Sequence, residues 1–556
     1  MRVVCARSLI LVALLAVDLS AGASLKSTAL DQTGRLSKTM LTGGGAGPKG
    51  REGAVAKGKA GAERSFVCKA RGAFFPVYKG EFQKFFVMGF LKFFIIFVLT
   101  LTRDMKDTLV VTHCGAEAIS FLKVLGVLPA ATAFTLFYAK ISTILTRRKL
   151  FYIALVPFFA FFVLFDRVLY PMRESLHFSG STALKAFDLL PEGFSYLINL
   201  VQHWTFALFY IISELYSSVS IGVVFWQFAN DVVPVDQAKR MYPLFGQVSS
   251  LAPVVAGQFV VHFATGKGTT FDRTLRYLTT LIACSGVTIC LLYEAGRNIS
   301  QKELRASGAA AVKEPEVAVK KQKQKPGLRY TFRLLSQSQY LRYLSILVVG
   351  YGLSISLTEV MWKSLVKQQY PSAVEYQRFM GRYSSALGIS TFTVIFAGSN
   401  LIKYMGWRSG ALATPLTMGA IALPLFSLLI MGHGDLHGSA LSFVVYLGAV
   451  QSILSKATKC ALFDPTTQMS YIPLDDDSKV KGKAAIDGLG SRVGKSLGSL
   501  LQQFLVLTFG SLLAASPLVA IMFYAVIGAW VSAAAKLSVL FEAKQLEALK
   551  KGGKRR

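Results

Sequence analysis

The chain has 556 residues, of which 53% are hydrophobic and 12% aromatic, and its mean hydropathy is +0.47. It carries 61 Lys and Arg against 30 Asp and Glu, which gives a net charge of +31. The many long apolar runs exclude an ordinary soluble domain. No zinc-finger, helix-turn-helix or RNA-binding motif accompanies the basic charge, so we expect no nucleic-acid partner.

The first eighty residues have the composition of targeting segments. Residues 1–23 combine an arginine-bearing start, a short apolar stretch and an A-x-A cleavage site, which predicts a signal peptide. Residues 24–80 are basic and rich in Gly, Ala and Ser, which is typical of an organelle transit region. The pair predicts a plastid reached through the secretory pathway. The alternative is a secretory signal followed by a basic tail.

Apolar segments of membrane-spanning length follow one another from residue 85 to residue 540. They predict an all-α membrane protein with twelve transmembrane helices, embedded in a lipid bilayer. The candidate helices lie near 85–108, 119–140, 150–171, 203–228, 241–264, 274–293, 340–362, 380–402, 411–431, 437–459, 484–508 and 516–540.

A basic, low-complexity linker at 297–339 divides these helices six and six. We therefore predict an N-terminal half at 81–296, a C-terminal half at 340–541 and a basic tail at 542–556. Lys and Arg are concentrated in loops on the side of the two termini, which by the positive-inside rule faces the stroma if the protein lies in a plastid.

The two halves have similar sequence patterns. Segments 227–258 and 468–503 both run through Gln, acidic residues, Pro, an Asp–Lys cluster and a Gly/Ser-rich helix to Gln. Parallel six-helix repeats indicate the major-facilitator architecture, in which the substrate site lies between the halves near the bilayer midplane.

Charged residues lie inside membrane segments of the first half. Arg103, Lys106 and Asp107 share one face of the first helix, and Glu214 is about ten residues from either end of its segment. A charge at bilayer depth costs at least a few kcal/mol, so these residues are candidates for function. The alternative for the RDMKD stretch (103–107) is a loop that follows a shorter helix.

The second half carries charges at matching places. Glu359 and Lys363 are spaced i, i+4, the favourable order for an ion pair, and Arg492 and Lys495 lie on one stripe of the eleventh segment. Glycines such as Gly494 thin that segment for close packing. Because most of the buried charge is basic, it predicts a pathway for a polyanion.

The segment GLGSRVGKS (488–496) is similar to a phosphate-binding loop but lacks the required first glycine, since Leu489 lies five residues before Gly494. We therefore expect no ATPase activity, and no enzyme of another kind. We also expect no cofactor and no metal site.

Several long motifs resemble the plastid and intracellular-parasite ATP/ADP translocases over about residues 80–545. These motifs are TLTRDMKDTLVVT, ELYSSVSIGVVFWQFAN, VDQAKRMYPLFG, EVMWKSLVKQQYP and FDPTTQMSYIPLDDDSKVKGKAAID, the last followed further along the chain by GKS (494–496). The resemblance is closest to algal plastid members. It implies a nucleotide antiporter of the inner plastid envelope that exchanges ATP for ADP and phosphate, or a wider range of NTPs and dNTPs. The alternative is another organic-phosphate or phosphate transporter of the same fold.

The resemblance also implies roles for single residues. The charges required in the family fall on Lys106, Glu214, Glu359 and Lys495. Ser250 occupies the position at which many ATP/ADP exchangers have Asn, so it is a candidate for recognising the base of the nucleotide. We expect a monomer with phosphate-binding side chains and gating side chains. The phosphate-binding set is Lys106, Arg103, Arg492 and Lys495, and the gating set is Glu214, Glu359, Lys363 and Asp107.

Overall fold

Helices account for the regular structure, because a chain in hydrocarbon must satisfy its backbone hydrogen bonds internally. Within the described residues the secondary structure is helical, without strands. The predicted signal peptide, nearly all of the transit-like region and residues 307–337 of the linker lie outside that part. The computed structural model describes residues 77–78, 81–178, 191–266, 268–306, 338–432, 436–474, 482–483, 486 and 490–553.

The N-terminal half contributes six long helical segments. The sixth runs past residue 296 and so takes in the start of the predicted linker. The six are α1 (Phe82–Cys114), α2 (Ala118–Ile141), α3 (Arg147–Leu169), α4 (Trp204–Val232), α5 (Arg240–Ala264) and α6 (Phe271–Ala306).

The C-terminal half repeats this arrangement. The Ala373–Met431 helix is interrupted at Gly406, whose φ of 79° lies in the left-handed region that glycine adopts without strain. We divide it there into α8 and α9, and the last helix continues through most of the predicted tail. The six are α7 (Gln339–Gln369), α8 (373–405), α9 (Gly406–Met431), α10 (Gly438–Met469), α11 (Ser491–Phe509) and α12 (Ser516–Gly553).

Ten helices in the described ranges are long and apolar enough to cross a membrane. The segments outside this set, α8 and α11, are helical as well. The all-α membrane fold is therefore confirmed, while the full count of twelve spans stays a prediction.

Glycines bring the two halves into close contact where α5 meets α8. A Cβ built on Gly257 would overlap the carbonyl oxygen of Gly381, and one built on Gly388 would lie 2.7 Å from Val254. Residues from Gln83 onward form one compact unit, and this contact is part of it. Small residues thus allow backbone-to-backbone packing between the halves.

The end of the bundle where α7 begins is called here the terminal side, and the opposite end the far side. Several hydrogen bonds among the described residues join the halves on the far side, and in one of them Arg378 of α8 donates to the Thr265 carbonyl at 2.9 Å. Ser364 donates to the Glu117 carboxylate at 2.8 Å, and the Gln503 amide donates to the Ser120 carbonyl at 2.8 Å. The halves are therefore held together at the far side of the membrane.

On the terminal side, three ion pairs among the described residues each join two different helices of the N-terminal half. Because they lie within one half, they do not hold the two halves together. The pairs are Lys84 with Glu303, Arg147 with Asp231, and Arg148 with Glu294.

Helix α11 is held against α7 by the glycines that thin it. A Cβ on Gly494 would come within 2.8 Å of the Val349 carbonyl oxygen, and one on Gly498 within 2.7 Å of the Ser356 Cβ. The predicted role of these glycines in close packing is therefore confirmed. This packing fixes the position of Lys495, which follows Gly494 on the same helix.

Candidate functional site

Lys106 is an intramembrane lysine with two carboxylate partners. Its ammonium lies 2.9 Å from the Glu214 carboxylate on α4 and 3.0 Å from Asp107 on its own helix. It also lies 3.8 Å from the centre of the Tyr210 ring, a cation–π arrangement. The two carboxylates and the ring offset the cost of removing this charge from water.

A carboxylate then joins this group to the other half. Asp107 accepts from Lys106 through one oxygen and lies 2.9 Å from the Lys363 ammonium through the other. Lys363 is 3.7 Å from Glu359, the i, i+4 pair that the sequence predicts. Glu359 is closer to Lys456 of α10, at 2.9 Å. The predicted gating residues therefore lie in one continuous row.

We call this row the charge ladder. It alternates carboxylates and lysines, and it runs from α4 through α1 and α7 to α10. Its members, in spatial order, are Glu214, Lys106, Asp107, Lys363, Glu359 and Lys456.

A second ion pair lies beside the ladder at the contact with α8. Arg103 is 3.3 Å from the Asp104 carboxylate and donates to the Ser384 hydroxyl at 3.0 Å. Ser384 in turn donates to Asp104 at 2.7 Å, and Asp104 is fully buried. The helix continues through the RDMKD stretch to Cys114, so the alternative of a loop at this position is wrong.

The structure places the remaining predicted residues differently. Among the described residues, no carboxylate forms an ion pair with Lys495. It is exposed and lies in the electrostatic field of Glu214. Arg492 lies in the first turn of α11, and its side chain is outside the described part of the structure. Ser250 is buried where α5 meets α8 near Gly388, and its hydroxyl donates to the Gln247 carbonyl at 2.7 Å.

Sequence reasoning did not assign a role to Lys456. Besides Glu359, it contacts the Tyr383 hydroxyl at 3.0 Å, which is 2.8 Å from the Ser452 hydroxyl. Its position in an apolar segment marks Lys456 as a candidate functional residue. Its partners are on other helices, however, and residue spacing along the chain does not reveal them.

Comparison with known proteins identifies the family. The family model described as TLC ATP/ADP transporter matches residues 61–541. The chain belongs to the TLC ATP/ADP transporter family. The ADP,ATP carrier protein 1 of Chlamydia muridarum is 42% identical over 461 residues, which are 80% of this chain and 86% of that protein.

Plastid proteins are among the relatives. The chloroplastic ADP,ATP carrier protein 1 of Arabidopsis thaliana is 38% identical over 81% of this chain and 73% of its own length. The plastidic ATP/ADP-transporter of Solanum tuberosum is 38% identical over 82% and 73%. The family resemblance that the motifs predict is therefore confirmed.

The fold of this transporter family member is that of the major facilitators. A D-xylose-proton symporter superposes with a TM-score of 0.51 at 12% identity, and the match covers 82% of this chain and 97% of that one. The identity is too low to bear on substrate. The likeness confirms the predicted major-facilitator-like fold, and the long apolar helices make the protein a multi-pass membrane protein.

Proposed function

We propose that this protein exchanges ATP for ADP across a membrane by alternating access. The observation that carries the proposal is the charge ladder, which joins the two halves at bilayer depth through Asp107 and Lys363, 2.9 Å apart. Family membership and the names of the chlamydial and plastid relatives supply the substrate class. Nucleotide phosphates are polyanions that cannot enter hydrocarbon without such a site.

The ladder carboxylates neutralise its lysines. A phosphate tail that enters the site competes with Glu214 for Lys106, because both present anionic oxygens to the same ammonium. It competes in the same way with Glu359 for Lys363. Phosphate oxygens therefore replace carboxylate oxygens, and the binding energy compensates for the broken ion pairs.

This replacement couples binding to the motion of the halves. The Asp107–Lys363 contact holds the halves together, so phosphate that draws Lys363 away weakens that link. The halves can then rotate about the bound nucleotide. Without bound phosphate, the ion pairs of the ladder stay formed. The two halves then change slowly between their inward-open and outward-open arrangements. The empty ladder therefore favours exchange over one-way transport.

We further propose roles for the residues outside the ladder. Arg103, Arg492 and Lys495 assist in phosphate binding. Ser250 affects base selectivity through the α5–α8 contact, where it is buried. We also propose the inner plastid envelope as the location, with phosphate, other NTPs and dNTPs as further substrates, and a monomer as the working unit. The plastid relatives and the transit-like composition support the location.

The test is counter-exchange in proteoliposomes that contain the full-length protein. Vesicles preloaded with ADP should take up labelled ATP, and unloaded vesicles should take up little. Equal uptake by both would refute obligatory exchange. Unlabelled nucleotides should compete with labelled ATP better than sugar phosphates or inorganic phosphate do. Stronger competition by the phosphate esters would instead favour another organic-phosphate transporter.

A further inference from the structure

The charge ladder is electrically balanced. Its three carboxylates match its three lysines, so the six side chains sum to zero, and the Arg103–Asp104 pair beside it also sums to zero. A site for a polyanion needs a surplus of positive charge. That surplus must come from cations near the ladder that are not already paired.

Lys123 on α2 is such a cation. Its side chain is half-buried, and its electrostatic neighbours are Glu359, Lys363, Glu214 and Lys106, four members of the ladder from both halves. Among the described residues, no carboxylate lies within ion-pair distance of its ammonium. Intramembrane lysines and arginines are rarely kept without a partner or a function.

The helix is irregular at this residue. Lys123 belongs to the π-helical stretch Leu122–Val127, which separates the two α-helical parts of α2. π-helical turns inside α-helices are found frequently at functional sites. Since Lys123 lies near the far end of α2, the simple alternative is a lysine that extends towards the membrane surface. The same stretch packs against α4 and α11, and a Cβ on Gly126, about one turn from Lys123, would overlap the Ile211 side chain, so this face of α2 is turned towards α4, the helix that carries Glu214.

The packing of α2 on α11 places Lys123 and Lys495 on the same side of a contact between the halves. The two helices touch where Gln503 donates to the Ser120 carbonyl. Lys123 lies about one helical turn from Ser120 on α2, in the direction of the terminal side. Lys495 lies about two turns from Gln503 on α11, in the same direction. Lys495 also lies in the field of Glu214. Two cations from opposite halves thus approach the same carboxylate without being paired to it.

We propose that Lys123 is a substrate-binding residue that receives the phosphate tail of the nucleotide together with Lys495. This inference rests on the proposed function and adds a residue to it. The ladder supplies the exchangeable pairs that couple binding to motion, while Lys123 supplies charge that is not compensated. Its contribution therefore grows with the number of phosphates, because each added phosphate adds negative charge near it.

The test compares Lys123→Gln with wild type in ADP-loaded proteoliposomes. The KM for ATP should rise about tenfold or more, as expected for the loss of a hydrogen bond to a charged group. The KM for ADP should rise less, and Vmax should change little. Lys123→Arg should restore most of the affinity for ATP. Lys140→Gln, an exposed lysine at the other end of α2, is the matched control and should behave as wild type.

Each result decides the inference. An unchanged KM for ATP in Lys123→Gln, or a fall in Vmax alone, would overturn it while the proposed function stands. If Lys123→Gln does not fold, the Lys123→Arg variant is used instead, because it keeps the positive charge. A KM for ATP that stays near the wild-type value supports the inference. A KM raised equally for ATP and ADP overturns it. Absence of exchange by the wild type would overturn both proposals.

Discussion

Asp107 is the residue on which the link between the halves depends. One of its oxygens contacts Lys106 in its own half, and the other contacts Lys363 in the other half. Both lysines are nearly inaccessible to solvent, with side-chain exposures of 5% and 4%. Removing the charge of Asp107 leaves two buried ammonium groups with one fewer counter-ion.

We therefore expect Asp107→Asn to lower the stability of the protein and abolish most exchange. Breaking a buried pair on one side costs about 3–5 kcal/mol. The measurement is the thermal unfolding midpoint in detergent, together with ADP-dependent ATP uptake. Asp272→Asn, which removes an exposed pair with Arg173, should change stability by less than about 1 kcal/mol. Equal effects of the two substitutions would contradict the assigned importance of Asp107.

Lys456 provides a second prediction at this scale. Substitution by Gln leaves the more distant Lys363 as the ion-pair partner of Glu359, and the ladder then has one more carboxylate than lysines, which repels the incoming phosphates. The KM for ATP should rise about tenfold, the size expected for one charged hydrogen bond. Tyr383→Phe, which removes only a neutral partner of Lys456, should have a smaller effect. Counter-exchange kinetics at varied ATP would show whether the two effects differ in this order.

Single residues were predicted where a charge interrupted an apolar run. Lys106, Glu214 and Glu359 are examples, because the cost of burying a charge is visible in one segment. Lys123 and Lys456 were not assigned roles, since their importance depends on which helices surround them. The length of α1 places Asp104 in a helix, and its contact with Ser384 of the other half is not visible in a single segment.

At the scale of helices, the contact of α5 with α8 determines how closely the halves can meet. Gly257 and Gly381 allow the two backbones to touch. Because this contact belongs to the closed far side, it must separate when that side opens. A larger residue there therefore disfavours the closed arrangement, whereas the open arrangement tolerates it.

Gly257→Ala should shift the protein towards a state that is open on the far side. The added Cβ cannot fit beside the Gly381 carbonyl, and overpacking of this kind costs about 1–3 kcal/mol. Exchange should slow, and a cysteine placed at Ser364 should react faster with a thiol reagent added from the far side. The control is Gly246→Ala on α5, where a Cβ meets nothing within 4 Å. A faster reaction in the control variant as well would argue against the shift.

At the scale of the whole molecule, two halves packed at the far side imply access from the terminal side. Cys460 on α10 is exposed, and it lies in the electrostatic field of Lys92 on α1, a residue of the other half. Cys114, near the far end of α1, is buried. The two cysteines therefore report on opposite ends of the space between the halves.

We expect Cys460 to react readily with a water-soluble maleimide and Cys114 to react slowly. Each would be tested in a variant whose other cysteines are serine, in the absence of nucleotide. The Gly257→Ala substitution should lower the rate at Cys460, because opening the far side closes the terminal side in an alternating-access cycle. The read-out is the labelled fraction against time. An unchanged rate at Cys460 would show that the two ends are not coupled.

The sequence by itself determined the membrane class, the family and the helices that carry buried charge. These properties follow from the length of apolar runs, the long motifs and the cost of a charge in lipid, all of which are local. Only the tertiary structure decided which charges are paired and which remain available. Ion pairing depends on distances between side chains from different helices, as for Asp107 with Lys363 and Glu359 with Lys456, and residue spacing along the chain does not contain those distances.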